Sequence, residues 1–351
     1  MKNLKAVLLL SVLSLISVLT VGYGGFSLAF YALPYESEEG APPSSSVSAV
    51  ISSKEEKTES KTESPKPESE KTSSTATSSS VAVNENHTVS GKITQKYIAP
   101  ATASLKYNNV YIKNNSGAKI DIKAELGTAI KFKIAKNTEP QVLILHTHAT
   151  ESYMQENRDY YTKEDASRST DLSKNMAAIG ERVAAELTAV GIKVIHDKTL
   201  HDYPSYTGSY TAAAKTIKAY LKKYPSIKVV LDVHRDAVSG EGSEKIKLVR
   251  QIGGKDAAQV MLVMGSQTGN ITGFPEWKQN LRLAMRFHHK METMYPGLAR
   301  PILLASRKYN ESLTTGSMLL EVGTDANWME EALYSGTLAG KALAATLLEL
   351  K

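Results

Sequence analysis

The chain contains no cysteine among its 351 residues. This absence excludes disulfide bonds, a thiolate nucleophile and any zinc or iron–sulfur site with cysteine ligands. A metal site in this protein would have to use histidine and carboxylate ligands. Because the sequence holds only 8 histidines, each one can be assessed as a candidate ligand.

A strong charge imbalance and the common nucleotide-binding and serine-hydrolase motifs are also missing. Lys and Arg number 42 against 36 Asp and Glu, a net charge of +6 without a basic cluster. An excess this small does not argue for nucleic acid as a partner. No G-x-G-x-x-G, P-loop or G-x-S-x-G pattern occurs, so neither a dinucleotide-binding protein nor a serine hydrolase is indicated.

An uncharged stretch rich in Leu, Val and Ser occupies residues 6–33. It is long enough to cross a bilayer, which takes roughly 20 residues. Lys2 and Lys5 precede it and Glu36 follows it, so the positive-inside tendency places the N-terminus in the cytoplasm. The sequence therefore predicts a single-pass anchor over residues 1–33 in the cell membrane, with the rest of the chain extracytoplasmic. A cleaved signal peptide, whose apolar region usually has about 7–15 residues, is the competing interpretation.

The composition changes sharply after this stretch. Ser, Thr, Glu, Lys and Pro dominate residues 34–86, which contain almost nothing to bury. Such a segment does not offset its ordering entropy, so a disordered linker is predicted. Apolar and polar residues then partly alternate over residues 87–138, which predicts a small β-rich extension.

Continuous apolar runs and amphipathic stretches alternate over residues 139–351. This alternation predicts an α/β domain with a mostly parallel sheet and helices on both faces. The predicted strands are QVLIL (141–145), IKVIH (192–196), IKVVLDV (227–233), QVMLVMG (259–265), ILLA (302–305) and MLLEVG (318–323). The predicted helices lie near residues 172–190, 210–223, 278–295 and 329–350.

Polar residues follow three of the predicted strands. They occupy residues 146–151 after the first strand, 232–236 at the end of the third and 321–323 at the end of the last. The carboxyl ends of parallel strands meet at one edge of a sheet, where function resides in such folds. We therefore expect these three sets of residues to converge.

The residue types at these strand ends predict a catalytic zinc site. Zinc in such sites takes three protein ligands from imidazoles and carboxylates and keeps one open position. The H-x-x-E spacing of His148 and Glu151, together with His234, predicts the three ligands. Glu321 is then the general base that deprotonates or orients the attacking water. His146 is the alternative to His148 as a ligand, and outside the metal shell it would contact substrate.

Other polar residues near these strand ends have weaker assignments. Arg235 could bind a substrate carboxylate or pair with its acidic neighbour. Asn327 could line the cleft, as a substrate-binding residue, or cap the final helix. Asp232 could hold the loop by accepting backbone donors. His288 and His289 fall in a predicted helix and are expected at the surface.

Four segments resemble a known family. VLILHTHATESY (142–153), LDVHRDA (231–237) and MLLEVGTDAN (318–327) resemble the signature segments of the stage II sporulation protein P family. The segment NMAAIGERVAAELTAVGIKV (175–194) also fits. The resemblance covers roughly residues 105–350, and H-T-H-x-T-E-S is a specific signal.

Members of this family are membrane-anchored peptidoglycan hydrolases of endospore-forming Firmicutes. The resemblance implies a zinc-dependent N-acetylmuramoyl-L-alanine amidase with a fold similar to the amidase_3 (phosphorylase/hydrolase-like) enzymes. It also implies an endopeptidase activity on stem-peptide cross-links and joint action with stage II sporulation proteins D and M on septal peptidoglycan during engulfment. Two alternatives remain open, namely a peptidoglycan endopeptidase or carboxypeptidase only, and a non-catalytic wall-binding module.

The same resemblance extends to single residues. Glu321 in E-V-G matches the catalytic glutamate of amidase_3 enzymes, and His234 matches their second histidine ligand. The first strand departs from the pattern, because those enzymes carry G-H-G-G there and take a glutamate ligand from the start of the next helix. Glu151 is therefore inferred from its H-x-x-E spacing, and Asp171, at the predicted helix start, is the alternative carboxylate ligand.

Overall fold

The computed structural model describes residues 88–135 and 139–350, which form an eight-stranded main sheet, a four-stranded small sheet and flanking helices. The strands are β1 (Val89–Lys96), β2 (Leu105–Tyr107), β3 (Val110–Asn114), β4 (Val142–Leu145), β5 (Tyr160–Thr162), β6 (Val194–His196), β7 (Val229–Asp236), β8 (Lys245–Ile252), β9 (Lys255–Ala258), β10 (Val260–Gly265), β11 (Ile302–Ala305) and β12 (Ser317–Thr324). The α-helices are α1 (Ile122–Gly127), α2 (Met176–Ala189), α3 (Ser209–Lys223), α4 (Trp277–Met294) and α5 (Met329–Leu348).

The main sheet has the strand order β2-β3-β11-β10-β12-β7-β4-β6. Neighbouring strands are parallel except in the pairs β2–β3 and β10–β12. The predicted α/β fold with a mostly parallel sheet is therefore confirmed. Strands β6, β4, β7 and β12 run in one direction, so their carboxyl ends share one edge of the sheet, which we name the C-terminal edge. Strands β10 and β11 run the other way and begin at this edge.

Alternate residues of β4 enter two different hydrophobic cores. Val142 and Ile144 belong to the core shared with α2, α4 and α5, whereas Leu143 and Leu145 pack with Ile217 of α3 on the other face. All four strand residues are buried, which explains why the strand is a continuous apolar run in the sequence. Burial of each such side chain stabilises the fold by about 1.5–3 kcal/mol. The helices thus cover both faces of the sheet, as predicted.

Helix α2 shows how local sequence sets the helix limits. The side chain of Asn175 accepts a hydrogen bond from Ala177 N at 3.0 Å, which satisfies one of the free N–H groups of the first turn. Gly191, with φ of 83°, follows the last turn in the left-handed conformation. The helix therefore begins at Met176 rather than at residue 172, because the preceding residues form the turn that leads to the cap.

The small sheet has the order β5-β1-β8-β9, and three of its strands, β5, β8 and β9, were not predicted from the sequence. A signal for the β8–β9 hairpin was present, because Gly253 and Gly254 form a two-residue turn with φ of 56° and 77°. Strand β1 pairs with β8, whereas β3 pairs with β11 of the main sheet. The strands of the predicted β-rich extension thus join two sheets formed with later parts of the chain.

The predicted membrane anchor and linker, residues 1–33 and 34–86, lie outside the described residues. Within the described residues, no helix is long and apolar enough to cross a membrane. The membrane anchor and the linker stay predictions from the sequence.

Candidate functional site

Two neighbouring strands place a histidine and a glutamate side by side at the C-terminal edge. His234 on β7 is the register partner of Glu321 on β12. Two residues before His234, Asp232 is the partner of Leu145 at the end of β4. Residues 146–151 therefore continue the chain next to β7. The three strand ends that the sequence singled out meet here.

His234 is surrounded by carboxyl groups. Its Nδ1 lies 3.7 Å from Glu151 Oε2. Its Nε2 lies 2.9 Å from Asp232 Oδ1, an ion-pair distance without the geometry of a hydrogen bond. Burial alone would lower the pKa of this imidazole, but the charge of Asp232, followed by those of Glu151 and Glu321, raises it to about 10. Negative charge is therefore concentrated around one ring.

Glu151 is held by a turn that follows β4. Its backbone N–H donates to His148 O at 3.1 Å, so the H-x-x-E spacing corresponds to one turn. Its Oε2 accepts a hydrogen bond from Arg235 N at 3.2 Å. Burial raises the pKa of the Glu151 carboxyl, and the charges of Arg235 and His234 oppose that rise. The turn thereby directs a buried carboxyl group towards His234.

The His148 ring packs among aromatic side chains. It stacks on Tyr206 with ring centroids 4.5 Å apart and meets His234 nearly perpendicularly at 5.2 Å. Its Nε2 lies 3.1 Å from Tyr206 Oη, and its Nδ1 lies 3.3 Å from Ser209 Oγ. Burial, followed by the charge of His234, lowers the pKa of His148 to about 2. The ring is therefore neutral, which is the form that binds metal ions.

Glu321 carries a buried oxygen, Oε2, that has no hydrogen-bond partner in the described part of the chain. Burial, followed by the charge of Asp236, raises the pKa of the Glu321 carboxyl to about 8. A carboxyl group with such a pKa can both accept and release a proton near neutral pH. Glu321 is thus suited to proton transfer at the position next to His234.

His146 lies on the other side of the loop from His148. Its Nε2 is 2.9 Å from His196 Nε2, and its Nδ1 is 2.9 Å from Val233 O. Gly180 of α2 permits this pairing, because a Cβ there would lie 2.6 Å from His196 Nε2. The contact of His146 with substrate stays a prediction. Its pairing with His196 is visible only in the folded structure, because the two residues are far apart in the sequence.

Arg235 and Asn327 direct their polar atoms to the protein itself. Arg235 Nε and Nη2 donate to Ser152 O at 2.9 Å and to Ser167 O at 2.7 Å. The Asn327 amide is fully buried, and its Nδ2 donates to Glu331 Oε2 at 2.8 Å. Both side chains therefore hold loops in place. Their substrate contacts stay predictions that no contact in the structure supports.

Asp171 and Glu151 occupy very different positions. Asp171 is exposed before α2, where it accepts hydrogen bonds from Ser173 N at 2.9 Å and Ser173 Oγ at 2.7 Å and pairs with Lys174 at 3.6 Å. Glu151 is buried and faces His234. The geometry therefore favours Glu151 as the carboxylate that acts with the histidines.

The donor types at the C-terminal edge fit a zinc ion. His148, Glu151 and His234 supply the imidazole and carboxylate donors that zinc prefers. Zinc would bind His234 only with release of its proton, because the surrounding carboxyl groups raise the pKa of this ring to about 10. Two buried atoms, His234 Nε2 and Glu321 Oε2, have no hydrogen-bond partner among the described residues. Over residues 88–135 and 139–350, no three such side chains are already arranged around a common metal position. The fit is therefore one of chemistry rather than of preset geometry.

Several residues at the site were not singled out by the sequence. Tyr206 and Ser209 contact His148, and the Tyr210 ring meets it edge-on at 5.5 Å. The Arg300 side chain lies close enough to Glu321 to influence its pKa. Sequence patterns give no signal for these contacts, because they depend on how α3 and the start of β11 pack against the sheet.

The surface position expected for His288 was wrong. His288 is fully buried in α4, with its Nδ1 3.0 Å from Asn109 O and its Nε2 3.2 Å from Arg300 O. The reason is helical spacing, because His288 shares a helix face with Ala284 and Met291, which are also buried.

Known proteins match the sequence over most of its length. The sequence model of the family described as Stage II sporulation protein P (SpoIIP) matches residues 26–344. Stage II sporulation protein P of Bacillus subtilis (strain 168) is 29% identical over 203 residues, which cover 54% of this chain and 47% of the relative. The chain thus spans about half the length of that curated relative.

Solved structures with a similar arrangement include three amidases. N-acetylmuramoyl-L-alanine amidase AmiC2 of Nostoc punctiforme is 13% identical, covers 61% of this chain and 97% of its own, and has a TM-score of 0.35. The CwlD amidase from Clostridioides difficile in complex with the GerS lipoprotein is 12% identical, covers 60% of this chain and 100% of its own, and has a TM-score of 0.38. The N-acetylmuramyl-L-alanine amidase Ami1 from Mycobacterium smegmatis is 15% identical, covers 61% of this chain and 98% of its own, and has a TM-score of 0.35.

Replacing Asn327 with alanine tests whether this side chain is structural. Its Oδ1 accepts from Thr324 N at 2.8 Å and its Nδ2 donates to Leu248 O at 3.1 Å, which joins β12 to β8. Each buried group left without a partner costs about 1–3 kcal/mol, so we expect Asn327→Ala to lower the free energy of unfolding by at least that amount. Denaturant unfolding measures the change, with the exposed Asn115→Ala as control. Unchanged stability with a raised KM would instead place Asn327 in the substrate site.

Proposed function

The chain belongs to the stage II sporulation protein P family, and from that premise we propose that it is a zinc-dependent peptidoglycan hydrolase. The proposed activity is that of an N-acetylmuramoyl-L-alanine amidase, which hydrolyses the amide between the lactyl group of muramic acid and the first alanine of the stem peptide. One arrangement supports this most directly. Glu321 lies beside His234 on adjacent strands, and His234 faces Glu151 at 3.7 Å.

We assign His148, Glu151 and His234 as the residues that would hold zinc. Their support is the neutral ring of His148 and the facing carboxyl and imidazole of the other two. When bound, the ion supplies Lewis-acid polarisation of the scissile carbonyl and acidifies water. The carboxyl groups around His234 also favour a cation, since buried negative charge is unfavourable without a positive partner.

Glu321 carries the proton transfers of the proposed reaction. Its unpartnered Oε2 is free to take a proton from the attacking water. The same carboxyl group then gives the proton to the departing nitrogen of alanine, which leaves as a free amine. The pKa of about 8, caused by burial and then by Asp236, suits a group that must both accept and release a proton.

The cellular setting belongs to the same proposal. An anchor within residues 1–33, an extracytoplasmic catalytic domain and joint action with stage II sporulation proteins D and M rest on the family and on the sequence. Within this setting the substrate is septal peptidoglycan, and a long linker would let the domain reach a substrate that does not diffuse. An additional endopeptidase activity on stem-peptide cross-links is included in the proposal.

Product analysis tests the proposed bond specificity. The 351-residue chain is incubated with purified peptidoglycan, with and without a chelator, and the released products are identified by mass spectrometry. We expect free stem peptides with an unblocked N-terminal alanine, lost on chelation and restored by zinc. Disaccharide-peptides with broken cross-links as the sole product would establish an endopeptidase instead. Wall binding without any release, also after addition of a lytic transglycosylase, would leave a non-catalytic binding module.

Substituting Glu321 with glutamine tests the general base. A general base typically contributes about 10²–10⁴-fold to the rate, so we expect kcat to fall by that factor in Glu321→Gln. Zinc content and thermal stability should be unchanged, because the isosteric amide keeps the shape of the side chain. Glu330→Gln, at an exposed position, is the matched control and should keep full activity. Retained activity in Glu321→Gln would contradict the assigned role.

Zinc stoichiometry tests the ligand assignment. Both His234→Ala and Glu151→Gln remove a proposed zinc ligand. Mutation of a residue that only hydrogen-bonds to a ligand already lowers metal affinity by about 10–100-fold. We therefore expect loss of a ligand itself to abolish stoichiometric zinc binding. Elemental analysis and competition with a chelator measure this. Asp171→Asn is the matched carboxylate control and should retain zinc. If Asp171→Asn loses zinc while Glu151→Gln keeps it, Asp171 is the ligand.

A further inference from the structure

Arg300 reaches the C-terminal edge through the reversal of β10. Since β10 is antiparallel to β12 and parallel to β11, the segment that precedes β11 lies where β12 ends. The backbone confirms this placement, because Arg300 N donates to Val260 O at 2.7 Å and Val260 is the register partner of Val322. Val322 directly follows Glu321. Arg300 is therefore close to the proposed general base although it is remote in sequence.

The guanidinium of Arg300 has one complete edge without a partner. Its side chain is 3% exposed, and Nη1 donates to Asp236 Oδ2 at 2.9 Å. Nε and Nη2 are buried and have no hydrogen-bond partner in residues 88–135 and 139–350. In a guanidinium, the Nε–H and one Nη2–H point in the same direction and form a fork with the spacing of a carboxylate. Buried donors of a charged group are costly when nothing accepts from them.

The neighbours of this fork define what it can accept. Asp236 and Arg300 both influence the pKa of Glu321, Asp236 by raising it and Arg300 by lowering it, so all three side chains lie near each other. Burial, followed by the charge of Arg300, lowers the pKa of Lys113, so Arg300 also influences this lysine. Two unpartnered N–H donors on one edge of a guanidinium match the two oxygens of a carboxylate, so the fork favours a carboxylate as its acceptor.

Arg235, the arginine that the sequence offered for a substrate carboxylate, differs in this respect. The corresponding edge of Arg235 donates to the carbonyls of Ser152 and Ser167. It therefore has no fork to offer. Both arginines lie near the C-terminal edge. Of the two, only Arg300 has Nε and Nη2 donors without an acceptor among the described residues.

We propose that the Nε–Nη2 edge of Arg300 binds a free carboxylate of the stem peptide, next to the amide that Glu321 helps to hydrolyse. This inference rests on the proposed function and adds a determinant of substrate specificity to it. The ligand class is a peptide carboxylate on an acidic residue that follows the scissile bond. Arg300 acts in recognition and takes no part in proton transfer.

The test compares substrates that differ in one group. Muramoyl peptides are prepared in which each carboxyl group of the peptide is, in turn, a carboxylate or a carboxamide. A hydrogen-bonded pair of charged groups corresponds to about a 10–100-fold difference, so we expect kcat/KM of the wild-type chain to fall by that factor for one of the amidated peptides. In Arg300→Gln, kcat/KM on the peptide with the free carboxylate should fall by the same factor. Its kcat/KM on the corresponding carboxamide peptide should equal that of the wild-type chain. Arg300→Lys, which keeps the charge and loses the fork, should recover only part of the preference.

Binding measurements give a readout that does not depend on turnover. Calorimetry with the released stem peptide and its carboxamide analogue should show the same preference in the Glu321→Gln variant and its loss when Arg300→Gln is added. Zinc content should be equal in all variants, and Arg250→Gln, at an exposed arginine, is the matched control. If Arg300→Gln does not fold, the wild-type substrate comparison and Arg300→Lys decide.

The outcomes separate this inference from the proposed function. A wild-type chain that cleaves no muramoyl peptide contradicts the amidase proposal. A wild-type chain that cleaves all peptides equally well contradicts the proposed role of Arg300 but leaves the amidase proposal intact. Equal losses on the carboxylate and carboxamide forms in Arg300→Gln would mean that Arg300 only supports Asp236 and Glu321, and the inference would be overturned.

Discussion

The site depends on one buried carboxylate, that of Asp232 in the middle of β7. Its oxygens accept hydrogen bonds from Thr147 N at 2.8 Å and Thr147 Oγ1 at 2.6 Å, and Oδ1 also lies 2.9 Å from His234 Nε2. Burial opposes ionisation, but His234 and Thr147 hold the pKa of Asp232 at about 2. Because Thr147 directly precedes His148, this carboxylate fixes the loop after β4 against β7. The loop-holding role that the sequence suggested for Asp232 is the one the structure has.

The balance of charge around that carboxylate explains why a cation would be stabilised here. Asp232, Glu151 and Glu321 are gathered around a single imidazole, that of His234, and all three groups influence its pKa. The pKa of Glu151 and that of Glu321 are both raised, with burial as the first cause. The positive groups of the chain therefore compensate the buried carboxyls only in part. A divalent cation would supply the missing charge, since opposite charge is what makes buried carboxylates tolerable.

Periodicity predicted six of the segments that form the main sheet and its mostly parallel character, but neither the strand order nor the reversal of β10 and β11. The strand over Ile302–Ala305 has the limits expected from the sequence, because a short apolar run bounded by polar residues gives clear ends. A continuous apolar run such as Val260–Gly265 predicts a buried strand but not the direction of that strand in the sheet. The reversal of β10 was therefore not predictable from the sequence. The H-x-x-E spacing correctly brought His148 and Glu151 into one turn. Side-chain pairings across the fold, such as His146 with His196, depend on helix packing and leave no mark in the sequence.

The reversal of β10 also changes which residues can reach the C-terminal edge. In a fully parallel sheet, only segments that follow strands lie at this edge. Here the acidic groups come from strands that end at the edge, whereas Arg300 comes from a segment that enters the sheet there. The bond between Arg300 and Asp236, at 2.9 Å, joins the two kinds of segment. Proton transfer by Glu321 and recognition by Arg300 can thus be neighbouring but separate functions, because their side chains are positioned by strands of opposite direction.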